Sequence, residues 1–244
     1  MLAGGNAKGL APVPAKGLVP IIGRPIYEYV VEALLRCADI NRVCVVMPVE
    51  VQGPHFDERV VFEVASGSLP QVAKAGFDRL EAGAPVLLLS ADIPLITPEA
   101  ISDFLKRCAK HGADVCYPIV RYGEPERRFP GVKRTYVRLR EGRFTGGNII
   151  LMNPVVVLAN MELMEDIYEA RKSPFKLFQM LGFGFLLKFI LGMLTIDQVA
   201  GRIAQILRAS CAAVETPHIE IGIDVDKESD LRLAEEVLSG GSDE

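Results

Sequence analysis

Short apolar runs in the first half of the chain alternate with longer segments in which apolar residues recur every three or four positions. The runs, which predict strands from their length and β-branched content, cover residues 42–48, 60–64, 85–90 and 113–118. The segments of helical period cover residues 25–37, 69–81 and 97–110. In the last of these, Thr97 is a candidate helix cap and Pro98 follows it at the first helical position. Strands that alternate with helices predict an α/β fold with a mainly parallel, mixed sheet flanked by helices.

The character of the chain changes after Tyr122. Residues 121–147 are polar and rich in arginine, and residues 154–208 have mostly helical patterning. We expect one domain over residues 1–244, with 154–208 as a helical insertion or lid. The pattern then predicts two more strands and a last helix, at residues 212–216, 220–226 and 228–238.

One stretch, residues 181–196, is almost wholly apolar. It is shorter than the roughly 20 residues that span a bilayer, and it contains Lys188, so we expect no stable membrane insertion. A buried helix is the favoured interpretation. A homo-oligomer contact through residues 175–196 and a surface that touches lipid stay open as alternatives.

Composition limits the classes of function. Half of the 244 residues are apolar, which is enough for a sizeable core, and the net charge is −4, which argues against a nucleic-acid partner. The cysteines are odd in number, lie in apolar runs and have no CxxC spacing, so they predict reduced thiols in a cytoplasmic protein. They are Cys37, Cys44, Cys108, Cys116 and Cys211.

The first candidate for chemistry is the opening LAGGNAKGLAPVPAK. Glycines let backbone N–H groups approach phosphate oxygens, and a lysine adds a mobile positive charge. Gly4, Gly5 and Lys16 therefore form a candidate triphosphate loop. An ordinary glycine turn with a surface lysine is the alternative.

Carboxylates follow apolar runs at two places. Asp92 comes two residues after the end of the run 85–90, and Asp224 and Asp226 close the run 220–226. The carboxyl ends of parallel strands form the edge where such sheets bind ligands, and oxygen ligands suit Mg²⁺. We expect Asp92 and one of the two later aspartates to share a Mg²⁺ ion, with Asp226 favoured over Asp224. Asp230 is interpreted as a charge that stabilises the start of the last helix.

These motifs resemble those of the nucleotidyltransferases that share the sugar-nucleotide pyrophosphorylase fold, especially the molybdopterin-guanylyltransferase-like group. The resemblance rests on LAGG, a lysine after a loop of about ten residues, the Gly23-Arg24-Pro25 helix start, and ADIPL around Asp92. It implies a Rossmann-like nucleoside triphosphate (NTP) transferase fold of the GT-A-like type. By resemblance the nucleotide is bound by Leu2, Ala3, Gly4, Gly5 and Lys16, and Asp92 binds metal.

The chain departs from the family pattern in two respects. Only Lys8 is available for the arginine that the family places in the loop. The first strand has only Met1, Leu2 and Ala3, so either it is very short or the true start of the chain lies upstream.

Two further segments resemble family elements more loosely. Ser66, Gly67 and Ser68 occupy the place of the loop that recognises the base, although a helix cap explains them equally well. Gly147 and Asn148 correspond to a turn that holds the acceptor, with a hairpin turn needing positive φ as the alternative. Among the preceding basic residues, Lys133 or Arg134 is a candidate to bind an acceptor phosphate.

The resemblance implies a Mg²⁺-dependent nucleotidyltransferase that couples an NTP to a phosphorylated small-molecule acceptor and releases pyrophosphate. Lys16 and Asp92 would be its catalytic residues. GTP and CTP are the favoured donors. A glycosyltransferase of related fold and a nucleotide-binding regulatory module without chemistry are the rival hypotheses. Because a loop lysine contributes little to folding, we expect Lys16→Ala to impair nucleotide use with little change in melting temperature.

Overall fold

The computed structural model of the protein describes residues 1–7, 9–51, 56–123, 129, 134–170 and 180–240. The strands are β1 (Pro20–Ile21), β2 (Arg24–Pro25), β3 (Val43–Met47), β4 (Val60–Val64), β5 (Val86–Leu89), β6 (Val115–Arg121), β7 (Val137–Leu139), β8 (Gly142–Gly146), β9 (Ile149–Met152) and β10 (Cys211–Glu215). The helices are α1 (Ile26–Arg36), α2 (Leu69–Phe77), α3 (Pro98–His111), α4 (Pro154–Ala159), α5 (Met161–Ala170), α6 (Phe183–Ile190), α7 (Ile196–Leu207) and α8 (Glu228–Gly240). Two 3₁₀ helices span Lys16–Leu18 and Ile219–Gly222.

The sheet is mixed, as predicted. β4 and β3 pair in parallel, β5 and β6 each pair antiparallel with β9, and β10 pairs in parallel with β6. The hairpin β7–β8 pairs antiparallel with the end of β6. The carboxyl ends of β5, β6 and β10 therefore lie at one edge, together with the start of β9.

A very short first strand joins the two parts of the sheet. Leu2 bridges in parallel to Val46 of β3 and to Ser90 after β5. The Leu2 amide donates to the Leu89 carbonyl at 2.8 Å, and the Ala3 amide donates to the Val46 carbonyl at 2.9 Å. Gly4 and Gly5 follow immediately, so the sheet delivers the glycines to its carboxyl edge.

Strand β3 is covered by helices on both of its faces. All five of its residues are buried, which is typical of a parallel strand between two helical layers. Val45 and Met47 pack in a core cluster with Tyr27 of α1, whereas Val46 points the other way and lies close to Gly76 of α2. The alternation of side chains along the strand produces this division.

The predicted helix caps near the site are confirmed. The Thr97 side chain accepts from the Ala100 amide at 3.1 Å, Pro98 starts α3, and Gly112 ends it in the left-handed conformation. The boundaries of α1, α3, β3 and β5 each differ from the predicted ones by one residue. Helix α2 stops at Phe77, four residues before its predicted end.

The predicted strand at residues 220–226 is wrong. Ile219–Gly222 form a 3₁₀ helix, and no strand follows it before α8. Single backbone bonds hold this segment: the Asn148 amide donates to the Ile221 carbonyl, and the Val225 amide donates to the Asp92 carbonyl, each at 2.9 Å. Its apolar residues are consecutively buried in a turn, so they imitate the pattern of a buried strand.

The favoured buried helix at residues 181–196 is also wrong. The helix in this stretch, α6, has eight residues and no buried side chain. Phe183 is 80% exposed and Ile190 is 69% exposed, whereas Leu194 after the helix is buried. Within the described ranges, no helix is long and apolar enough to cross a membrane. Of the candidate oligomer contact, residues 175–179 lie outside the described part of the chain.

Candidate active site

The glycine loop and Lys16 are built against each other. The Lys16 amide donates to the Gly5 carbonyl at 2.6 Å, and a Cβ on Gly5 would lie 3.2 Å from Lys16 Cβ. Gly17 lies against Ala3, where a Cβ would meet the Ala3 methyl at 2.9 Å. Close packing thus requires glycine at position 17, and the contact at Gly5 is tight. Gly4 and Gly5 are exposed at the edge of the sheet. Lys8 lies outside the described residues.

Lys16 is not a surface lysine: the whole residue is 7% exposed. Its ammonium donates to Asp92 Oδ2 at 2.5 Å and also to Asp226 Oδ1. Ser90 donates its hydroxyl to the second oxygen of Asp92. The surface-lysine alternative is therefore wrong. Two carboxylates hold Lys16 in place, which contradicts the premise that this loop lysine contributes little to folding.

The structure brings together the carboxylates that the sequence separates by more than a hundred residues. One carboxylate oxygen from each of Asp92, Asp224 and Asp226 lies within 4.8 Å of the others. The bond from the Val225 amide to the Asp92 carbonyl ties the two segments directly. Asp230 accepts from the amides of Asp226 and Lys227 at 3.1 Å, so it organises the turn before α8.

The charges in this cluster shift the pKa values of its members. Burial lowers the pKa of Lys16, but the attraction of Asp92 and Asp226 outweighs burial and the net pKa is raised. The hydrogen bond from Lys16 lowers the pKa of Asp226. Burial raises the pKa of Asp224, although Arg134 opposes that shift. Lys16 and Asp226 are therefore held in their charged forms at neutral pH.

Arg134 belongs to the same site. Its guanidinium donates to Asp224 Oδ1 at 2.5 Å and to the Gly146 carbonyl at 3.2 Å. The predicted acceptor-phosphate ligand is thus bound to a carboxylate of the cluster. Lys133, its alternative, lies outside the described residues.

Gly147 and Asn148 lie where β8 gives way to β9. A Cβ on Gly147 would meet Ile221 Cγ2 at 2.5 Å, so glycine is needed there for packing. Neither residue has positive φ, which argues against the hairpin-turn alternative. The side-chain nitrogen of Asn148 is buried and has no hydrogen-bond partner in the structure. A buried donor of this kind can bind a water molecule or a ligand oxygen.

A polar cavity of about 540 Å³ lies beside the cluster. Its lining includes Asp224, Asp226, Arg134, Asn148, Tyr117, Thr145, Gly146 and Lys227. Its volume lies within the range of about 300–1,000 Å³ that small-molecule sites occupy.

The segment Ser66–Ser68 lies at the same edge, after β4. The Ser68 hydroxyl caps α2 by accepting from the Gln71 amide, and the Gln71 side-chain oxygen accepts from the Ser68 amide at 3.1 Å. Ser68 also donates its hydroxyl to Glu165 of α5. The capping interpretation of Ser68 is thus observed, while Ser66 and Gly67 are exposed at the edge.

Sequence reasoning missed three residues of this region: Ser90, Gly17 and Tyr117. Ser90 sits two residues before Asp92, where alternation along an extended segment places both side chains on one side. Gly17 directly follows the predicted lysine. Tyr117 carries no such signal, because only the pairing of β6 with β8 and β10 brings it to the cavity.

Comparison with solved structures agrees with the fold. A hypothetical transferase from Thermus thermophilus is 36% identical, with a TM-score of 0.83 over 94% of this chain and 96% of its own. A CMP:2-keto-3-deoxy-manno-octonic acid synthetase complexed with CTP is 16% identical, with a TM-score of 0.60 over 96% of this chain and 95% of its own. A 2-C-methyl-D-erythritol 4-phosphate cytidylyltransferase, also from Thermus thermophilus, is 15% identical, with a TM-score of 0.54 over 92% of this chain and 94% of its own.

No curated protein matches the sequence significantly. The sequence model of the MobA-like NTP transferase domain matches residues 1–177, which is more than half of the chain. The chain therefore belongs to the MobA-like NTP transferase family and is a nucleotidyltransferase.

Proposed function

We propose that the protein transfers a nucleoside monophosphate from an NTP to a phosphorylated small-molecule acceptor, with Mg²⁺, and releases pyrophosphate. The observation that carries this proposal is the Lys16–Asp92–Asp226 cluster, which lies between the exposed Gly4-Gly5 loop and the polar cavity. Nucleotidyl transfer needs cations and N–H donors for the triphosphate and a site that positions the acceptor. The Gly4-Gly5 loop with Lys16 offers the first, and the polar cavity offers the second.

The roles follow from the contacts. Gly4 and Gly5 offer exposed backbone for the triphosphate, and Lys16 supplies positive charge beside them. Leu2 and Ala3 position the loop through the sheet, and Ser66 to Ser68 remain candidates for contact with the base. Arg134 and the unpaired Asn148 nitrogen would bind the acceptor phosphate. We further propose that residues 1–244 form one domain, with 154–208 as an insertion.

In the proposed reaction an acceptor phosphate oxygen attacks the α-phosphorus of the NTP. A new P–O bond forms, the bond from the α-phosphorus to the bridging oxygen of the β-phosphate breaks, and pyrophosphate leaves with that electron pair. Lys16 and Arg134 would neutralise the charge that spreads over the phosphate oxygens.

The residues present fit a divalent cation. Three carboxylates within 4.8 Å of one another offer the oxygen donors that Mg²⁺ prefers. Asp92 and Asp226 would hold the ion, with Asp224 as the third candidate; when bound, Mg²⁺ would supply Lewis-acid stabilisation of phosphate charge. Since Lys16 already contacts Asp92 and Asp226, such an ion would compete with its ammonium for them.

The donor base stays open between CTP and GTP. The two distant structural neighbours named above are cytidylyl enzymes, which supports CTP, whereas the family name points to the guanylyltransferase-like group. Cytoplasmic location and a homo-oligomer through residues 175–196 remain predictions.

The test is pyrophosphate release from each of the four NTPs, with Mg²⁺ and a panel of phosphorylated acceptors. We expect release that depends on acceptor and metal and is lost in Asp92→Asn. It should be retained in Asp78→Asn, which changes an exposed carboxylate directly after α2. NTP binding without release would favour the regulatory module. Binding of finished nucleotide sugars, with no release from NTPs, would favour the glycosyltransferase.

A further inference from the structure

An apolar cavity of about 450 Å³ adjoins the polar one. It lies between the strands β6 to β10 and the helices α6 and α7. Its helical wall consists of Phe189, Ile196, Val199, Ala200, Ile203 and Leu207. Its volume lies within the range of about 300–1,000 Å³ that small-molecule sites occupy.

The two cavities share a boundary. Tyr117, Thr145 and Gly146 line both. A Cβ on Gly146 would lie 2.1 Å from the Tyr117 hydroxyl oxygen, so the absence of a side chain at Gly146 leaves the space that this hydroxyl occupies. Tyrosine has an apolar body and a polar tip, which suits a residue between a polar and an apolar compartment.

The polar side of this boundary contains the groups assigned to the acceptor. Arg134 and Asn148 line the polar cavity, and Arg134 contacts Gly146 directly. A ligand whose anionic end meets Arg134 and Asn148 can therefore continue past Tyr117 into the apolar space. The polar end fixes its orientation, and burial of the remainder adds affinity.

The exposed surface beside the cavity is apolar as well. Phe189 lines the cavity and is 39% exposed, and Ile190 and Leu191 beside it are 69% and 59% exposed. Contiguous exposed apolar surface marks a site of interaction. Because this exposed apolar surface is continuous with the cavity, it favours a ligand with a hydrocarbon part.

We propose that the acceptor is amphipathic, a phosphorylated alcohol whose hydrocarbon part occupies the apolar cavity while its phosphate lies in the polar one. This rests on the proposed nucleotidyl transfer for the role of the ligand as acceptor. The binding place of its hydrocarbon part rests only on the geometry of the apolar cavity.

Alkyl phosphates of increasing length, from ethyl to octyl, test the proposal. Each buried methylene should lower the dissociation constant about fourfold until the cavity is full. Ligand-observed NMR gives the dissociation constants, and pyrophosphate release gives KM for the same series. We expect both to fall with chain length.

Two variants on α7 separate the cavity from the surface. Ala200→Leu fills part of the cavity and should weaken octyl phosphate binding about tenfold, with ethyl phosphate unchanged. Gln205→Leu, on an exposed position of the same helix that does not line the cavity, should leave both unchanged.

Three outcomes would overturn the proposal. In the first, the affinity for alkyl phosphates does not depend on chain length, while polar phosphorylated acceptors support turnover; the proposed function then stands without the amphipathic acceptor. A second is length-dependent binding with no pyrophosphate release from any acceptor, which removes the acceptor role and the proposed function together. The third is a stable dimer in sedimentation analysis that excludes octyl phosphate, because a second copy would then cover this face.

Discussion

Replacing Lys16 by methionine tests the structural account of the site most sharply. The change keeps most of the apolar stem and removes the ammonium that contacts Asp92 and Asp226. These carboxylates, together with Asp224, lie within 4.8 Å of one another, so removal of the cation leaves them in mutual repulsion.

The expected cost lies between two limits. Removing one partner of a fully buried pair costs about 3–5 kcal/mol, whereas an exposed pair contributes less than about 1 kcal/mol. The Lys16 side chain is 9% exposed, but that of Asp226 is 68% exposed, so water screens part of the effect. We therefore expect a loss of about 2 kcal/mol, or roughly 4–8 °C in melting temperature for a chain of this size.

The assay is thermal unfolding with and without Mg²⁺, with Lys74→Met as the matched control. Lys74 pairs with Asp78 on the surface of α2, so its loss should cost less than about 0.5 kcal/mol. Added Mg²⁺ should stabilise Lys16→Met more than the parent, because the ion no longer competes with an ammonium. Equal melting temperatures for the two variants, with no extra effect of Mg²⁺, would refute this account.

Three further predictions concern stability and turnover. Asp92→Asn should abolish metal-dependent pyrophosphate release and keep the circular dichroism spectrum of the parent; release at the parent rate would remove Asp92 from the site. Gly17→Ala should lower the free energy of unfolding by about 1–3 kcal/mol in denaturant, because its Cβ would meet Ala3. Gly201→Ala is the control: no atom lies within 4 Å of its Cβ in α7, so it should raise that free energy by about 0.5–1 kcal/mol. A Gly17→Ala variant more stable than Gly201→Ala would contradict the packing argument. Because the pKa of Asp226 is lowered in the folded protein, its contribution is present above the unfolded pKa and lost as pH falls through the folded one. Asp226→Asn should thus show a shallower loss of stability below about pH 4 than the parent, and identical acid limbs would count against that bond.

The repeating strand-helix part of the fold could be predicted because its signals are local. Buried β3 is a continuous apolar run, and Thr97-Pro98 is both a cap and a helix start. Residues 220–226 misled the prediction since consecutive burial in a 3₁₀ turn produces the same apolar pattern as a buried strand. Exposure of α6 was missed because hydropathy alone does not reveal which apolar helices lack a neighbour.

Part of the site could likewise be predicted. Asp92 follows strand β5, so its place at the carboxyl edge follows from sheet geometry. The approach of Asp226 was predicted for the wrong reason, because residues 220–226 form no strand and the bond from the Val225 amide to the Asp92 carbonyl brings them there. The contact of Lys16 with both carboxylates was not expected, since a side chain's partner across 76 and 210 residues depends on the folded sheet. The same holds for the apolar cavity beside Tyr117, which five strands and two helices build together.

Nucleotidyl transfer itself is tested most directly by following the position of label. The protein would be incubated with Mg²⁺, a phosphorylated acceptor and an NTP labelled at either the α- or the γ-phosphate. Our account predicts that α-label appears in the acceptor product, that γ-label appears only in pyrophosphate, and that Asp92→Asn abolishes both. Transfer of γ-label to the acceptor, or retention of both labels in intact NTP with every acceptor and base, would contradict it.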